Sequence, residues 1–145
     1  MDKLFYYNTK IGRLGIREDE IGITNIYFRE INTKEDFVLE ESYLIKKAYI
    51  QIEEYIDGKR TKFELPLNLK VTEFQKNVWR ELIKIPYGET RSYKDIAIAV
   101  GNEKASRAVG MANNKNPIPI IIPCHRVIGT DKGLTGYAGG LKIKN

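Results

Sequence analysis

Asn116-Pro117-Ile118-Pro119-Ile120-Ile121-Ile122-Pro123-Cys124-His125-Arg126-Val127 is the stretch from which the fold of the second half of the chain is read. Its apolar centre, Ile118 to Ile122, has the composition of a core strand. Prolines 117, 119 and 123 deny it ladder hydrogen bonds, so it reads as an edge or irregular segment able to present a side chain to a cleft. It also holds the only cysteine and the only histidine of the 145 residues. A free cysteine commonly packs as a small hydrophobe, whereas a thiol next to an imidazole is a candidate nucleophile, and residue type alone leaves both open. Adjacent side chains of a strand point to opposite faces, so coupling of Cys124 to His125 requires a bend or a bridging water.

Upstream, Thr72-Glu73-Phe74-Gln75 has the pattern of a capping box. It precedes a helix whose apolar stripe is Phe74, Val78, Trp79, Leu82 and Ile83, ended by Pro86-Tyr87-Gly88. Ser92 and Asp95 cap a short helix through Val100, Gly101 closes it, and Asn102 is expected to cap another running to about Asn113. Two short helices around a glycine make a helix-turn-helix candidate, with an ordinary helical hairpin as the alternative. The second helix meets DNA in the usual docking; here it is expected to carry Lys104 and Arg107 among small Ala105, Ser106, Ala108 and Gly110. Downstream, glycines 129, 133, 136, 139 and 140 suggest a hairpin wing and a loop.

The first half reads differently. Residues 2–8, 11–18 and 20–29 are rich in Tyr, Ile and Phe and are separated by Asn8-Thr9-Lys10 and Glu18-Asp19-Glu20, as in a short antiparallel meander. Leu44, Ile45, Ala48, Tyr49, Ile52, Tyr55 and Ile56 then recur at helical spacing, stopped by Gly58. Residues 59–69 are expected to be a linker, which divides the chain into an N-terminal α/β domain, 1–68, and a second domain, 69–145. Charge divides there too: residues 1–71 carry 12 basic and 13 acidic side chains, residues 72–145 carry 12 and 6. No acidic residue falls between Glu103 and Asp131, where Lys104, Arg107, Lys115 and Arg126 lie. That is an electrostatic footprint for phosphates, or else a solvated basic face.

No apolar stretch approaches the roughly 18 residues of a membrane span. The start, Met1-Asp2-Lys3-Leu4-Phe5, lacks the pattern of a signal peptide. An intracellular, cytoplasmic protein with a reduced thiol and no membrane association is therefore expected. One Cys and one His cannot form an ordinary four-ligand zinc site, so no structural metal and no cofactor are expected.

The run from Pro123 to Val127, preceded by Asn116-Pro117-Ile118-Pro119 and Ser106-Arg107-Ala108-Val109-Gly110 and followed by Gly136-Tyr137-Ala138-Gly139-Gly140, resembles the O6-alkylguanine-DNA alkyltransferases. The resemblance extends without gaps from about Phe74 to Leu141 and includes Pro86-Tyr87-Gly88-Glu89 and Ser92-Tyr93. It implies an α+β protein. A small ribonuclease H-like domain of antiparallel sheet and helix is followed by a helical, winged helix-turn-helix-like domain. It implies a monomer that binds the minor groove of duplex DNA, flips out O6-alkylguanine and takes the alkyl group onto its own cysteine.

Carried over position by position, the resemblance makes Cys124 the acceptor and His125 the base that draws its proton through a water. Tyr93 becomes the phenol that protonates or hydrogen-bonds guanine N3, and Asn116 the hinge between the helix-turn-helix and the active-site turn. Arg107 becomes the finger that fills the space left by the flipped nucleotide. Lys104, Ser92, Ala105, Gly110, Lys115 and Arg126 are the further DNA contacts it implies, and Val127, Pro119, Tyr137, Ala138 and Gly139 the substrate pocket. Ala138 stands where relatives often carry serine. Relatives also continue past the position of Leu141 into a helix whose glutamate orients the histidine, and no residue of Lys142-Ile143-Lys144-Asn145 aligns with it. The alternative is a non-catalytic damage sensor of the alkyltransferase-like kind, which typically has tryptophan in place of the cysteine. A Cys-His hydrolase ranks lower, because its base is usually distant in sequence.

Overall fold

The computed structural model describes residues 1–31 and 36–128. The chain divides into two compact units, Met1–Lys70 and Val71–Asn145. Among the described residues, no helix is long and apolar enough to cross a membrane.

In the first unit, β1 (Asp2–Thr9), β2 (Gly12–Glu18) and β3 (Ile23–Tyr27) form the antiparallel meander. A short β4 (Phe37–Leu39) adds to the free edge of β1 in the parallel sense, which makes the sheet mixed, in the order β3-β2-β1-β4. Three residues carry too little periodicity to mark that strand in the sequence. Gly15 lies opposite Tyr6 in the β1–β2 register, and a Cβ there would come within 2.6 Å of the Tyr6 ring. The helix α1 (Tyr43–Ile56) packs on β1 and β2, burying Ile45, Ala48 and Ile52 in a core with Leu4, Leu14, Ile16 and Ile26. Each of these leucines and isoleucines contributes roughly 1.5–3 kcal/mol on full burial. Ser42 caps α1 by accepting from the Ile45 amide and donates its own hydroxyl to Glu18. Gly58, at φ +76°, ends the helix as its position suggested.

The segment expected to be a linker is stitched to the sheet at its far end. The Ile23 amide donates to the Pro66 carbonyl and the Asn68 amide to the Ile23 carbonyl, both at 2.9 Å. Gly22 permits the approach, since a Cβ there would lie 2.6 Å from the Pro66 oxygen. Asp19 completes the clamp. It accepts from the Ile21 and Gly22 amides and from the Asn68 side chain, and it pairs with Lys70.

In the second unit, α2 (Glu73–Ile83) starts at the Thr72–Gln75 capping box and α3 (Tyr93–Ala99) at a second one, Ser92–Asp95. Pro86 to Glu89 make a turn with Gly88 at φ +83°. The helix α4 (Ser106–Asn114) begins later than expected. Asn102 turns the chain by accepting from the Lys104 amide, so Lys104 and Ala105 lie in the turn and not in the helix. Val78, Trp79, Leu82, Ile96, Val109 and Ala112 form the core between the three helices. Trp79 reaches across it to donate its indole N–H to the Ala112 carbonyl at 3.2 Å. β5 (Arg91–Ser92) and β6 (Val127–Ile128) pair in parallel, a contact too short to be read from sequence. The proposed wing and loop, residues 129–140, lie outside the described residues.

Candidate active site and nucleic-acid interface

The proline-rich segment is not a strand. From Asn116 to Pro123 it makes a turn that buries Ile118, Ile120, Ile121 and Ile122, with an isolated bridge between Pro119 and Ile122. Ile120 has φ +73°. A β-branched residue rarely adopts that region, and doing so costs on the order of 1–2 kcal/mol. The burial of four isoleucines and the side chain of Asn116 hold it there. Asn116 accepts from the Ile118 amide at 2.9 Å and donates to the Ile122 carbonyl at 2.8 Å, closing the turn at both ends.

Cys124 follows directly. Its amide donates to the same Ile122 carbonyl, and Cys124–Arg126 form a single 3-10 turn. Three residues per turn set neighbouring side chains about 120° apart, in place of the opposition a strand would impose. The segment is thus bent here and does not have the strand geometry that would set Cys124 and His125 on opposite faces. Both residues are buried, Cys124 with 2% of its surface accessible. The β5–β6 pairing then brings the start of α3 beside the end of the cysteine turn, because Arg91 lies opposite Val127 and Ser92 opposite Ile128. Tyr93, half-buried, is the next residue after that pairing. Its ring lies against α4, where a Cβ on Gly110 would stand 3.7 Å from the nearest ring carbon. Cys124, His125, Tyr93 and Asn116 are thus carried by segments that the backbone ties together.

Arg107, Lys104 and Lys115 are exposed, the first on α4 and the others at its two ends. Ser92 is occupied as the cap of α3, and Pro119 and Val127 are buried next to the cysteine turn. Tyr137, Ala138 and Gly139 lie outside the described residues. Arg126 departs from expectation. Grouped from sequence with the DNA contacts, it is only 9% exposed, donates from Nη1 to the Ile85 carbonyl at 2.7 Å and lies over the Tyr87 ring at 5.6 Å. A guanidinium paired inside the fold is not available to a phosphate, so this residue fastens the cysteine turn to the end of α2. Sequence reasoning missed this and the Trp79–Ala112 bond, since a side chain that reaches a carbonyl 41 or 33 positions away leaves no local pattern.

Residues 4–69 match the ribonuclease-like domain of 6-O-methylguanine DNA methyltransferase, and residues 73–145 match its DNA binding domain. The chain belongs to the 6-O-methylguanine DNA methyltransferase family. A methylated-DNA–protein-cysteine methyltransferase of Methanosarcina barkeri is 47% identical over 96% of this chain and 92% of its own length. The constitutive enzyme of that name from Bacillus subtilis is also 47% identical, over 92% of this chain and 87% of its own. Among solved structures, Mycobacterium tuberculosis OGT in complex with DNA superposes with a TM-score of 0.88 at 41% identity, covering 96% of this chain and 86% of that one. The family fold is therefore a ribonuclease-like α/β domain followed by a helical DNA-binding domain, as the sequence resemblance implied.

Proposed function

We propose that this methyltransferase-family protein repairs O6-alkylguanine in duplex DNA by transferring the alkyl group to Cys124, once per molecule. The observation that carries the reading is the buried Cys124–His125 pair on a 3-10 turn held by Asn116, within the half of the chain that matches the family's DNA binding domain.

A thiolate is the attacking species. His125 takes the thiol proton, through a water where the two side chains do not touch. The sulfur then attacks the O6-bound carbon in line, forming the S–C bond as the C–O6 bond breaks. The electron pair left on O6 is neutralised as Tyr93 delivers a proton to N3, so guanine departs neutral. The thioether formed at Cys124 has no leaving route, which makes the transfer stoichiometric. Arg107, planar and permanently charged, fills the vacated stack, while Lys104 and Lys115 meet phosphates on either side.

Incubation with a duplex containing O6-methylguanine tests the proposal. The Cys124 peptide should gain the mass of one methyl group, in proportion to lesion lost, and Cys124→Ser should gain nothing. Tight lesion binding with an unchanged peptide mass would identify a non-catalytic sensor instead.

A further inference from the structure

The outward face of α4 has an apolar centre that nothing above uses. Arg107, Ala108, Met111 and Asn114 are all exposed at helical spacing, while Val109, Ala112 and Asn113 face the core. Met111 is 60% exposed, although the helix has an apolar face already filled. Cations surround it: Lys104 and Arg107 toward the start of the helix and Lys115 after its end, with no acidic residue between Glu103 and Asp131. A cationic rim around an apolar centre is complementary to DNA, whose phosphates border grooves lined by sugars and base edges. Small neighbours lower the barrier to close approach, for Ala108 and Gly110 add almost nothing to the helix profile on either side of Met111. The first long apolar side chain to reach the groove floor would be that of Met111. It stands four residues, about 6 Å along the axis, from Arg107, a span of roughly two base steps.

We infer that Met111 is a second wedge. It packs into the minor groove about two steps from the one that Arg107 enters and holds the duplex open and bent while the base is out. The unbranched, polarizable thioether suits this role because it adapts to whichever bases flank the lesion. The inference rests on the reading of α4 as the DNA-facing helix. It makes Met111 a positioning residue, one that acts on the DNA and not on the reacting atoms.

The test uses the full chain with Met111→Ala, Met111→Glu and Met111→Leu, and Arg107→Ala as reference. Readouts are duplex affinity, end-to-end fluorescence transfer as a measure of bending, and the ratio of the transfer rate on methylated duplex to that on free O6-benzylguanine. Losing the thioether that would be buried in the groove should weaken duplex binding about fivefold, reduce bending and lower the rate ratio by a similar factor. Met111→Glu should do more, and Met111→Leu should restore most of each. Wild-type affinity, bending and rate ratio in Met111→Ala, with Arg107→Ala impaired, would overturn the wedge and leave the DNA-facing helix standing. Wild-type duplex binding in both would overturn that reading as well.

Discussion

Asn116 and Cys124 donate to one acceptor, the Ile122 carbonyl, the first from Nδ2 at 2.8 Å and the second from its backbone amide at 2.7 Å. Cys124, the proposed acceptor, is thereby registered to the end of α4 through a single oxygen. Asn116→Ala removes this bond and the one from the Ile118 amide. It should cost about 1–3 kcal/mol of stability and slow transfer at least tenfold as the turn loosens. Asn116→Asp keeps the acceptor for Ile118 but sets a carboxylate against the Ile122 carbonyl, and should be as slow as alanine. Thermal melting and single-turnover transfer rates read both.

Tyr93→Phe keeps the ring against Gly110 and deletes only the hydroxyl. If the phenol protonates the leaving base, transfer should fall about 100-fold, within the usual range for a general acid. Duplex affinity and melting temperature should hold. A rate equal to wild type would remove Tyr93 from the mechanism.

Gly110→Ala should act with opposite signs on stability and binding. A Cβ at this position meets only ordinary contacts with the Tyr93 ring, so the helix should gain roughly 0.5–1 kcal/mol from alanine's better propensity. With α4 docked on the duplex as proposed, the same methyl group should weaken duplex binding. Melting and binding titrations on one preparation separate the effects.

Arg126 should behave unlike the exposed cations. Lys104→Ala and Lys115→Ala should each lower the slope of log affinity against log salt by about 1. Arg126→Met should leave that slope unchanged while costing about 1–3 kcal/mol of stability, because it orphans the buried Ile85 carbonyl. A slope change in Arg126→Met would return the residue to the DNA contacts.

Burial raises the Asp19 carboxyl, but hydrogen bonds from the Gly22 and Ile21 amides, Asn68 and Lys70 outweigh it and hold the group at about 2, below its ordinary 3.8. A depressed folded-state value stabilises the native protein above the unfolded value, so this contribution is present above pH 3.8 and lost as pH falls toward 2. Asp19→Asn should lower the melting temperature at neutral pH, by the equivalent of about 1–2 kcal/mol after solvent screening. The gap from wild type should close on acidification through that window.

Local chemistry was written plainly in the chain. Runs rich in Tyr, Ile and Phe between polar breaks marked β1, β2 and β3, and helical apolar spacing marked α1 and α2. The capping boxes at Thr72 and Ser92 and the stop at Gly58 fall where side-chain oxygens and a positive φ are needed. The order of short motifs from Phe74 onward identified the family. Each cap, turn and motif depends on residues within a few positions of one another, so sequence displays them directly.

What tertiary structure alone decided concerns partners far apart along the chain. β4 exists because β1 offers a free edge, and β5 and β6 because the end of the cysteine turn meets the start of α3. The segment 116–123 looked like either a strand or a loop. Only four isoleucines buried together, with Asn116 bonding both ends, make it a turn that tolerates Ile120 at positive φ. Arg126 shows the same limit most directly. Its charge is legible in the sequence, but whether that charge meets a phosphate or the Ile85 carbonyl depends on where another helix ends. Side-chain reach is settled by packing and not by residue type.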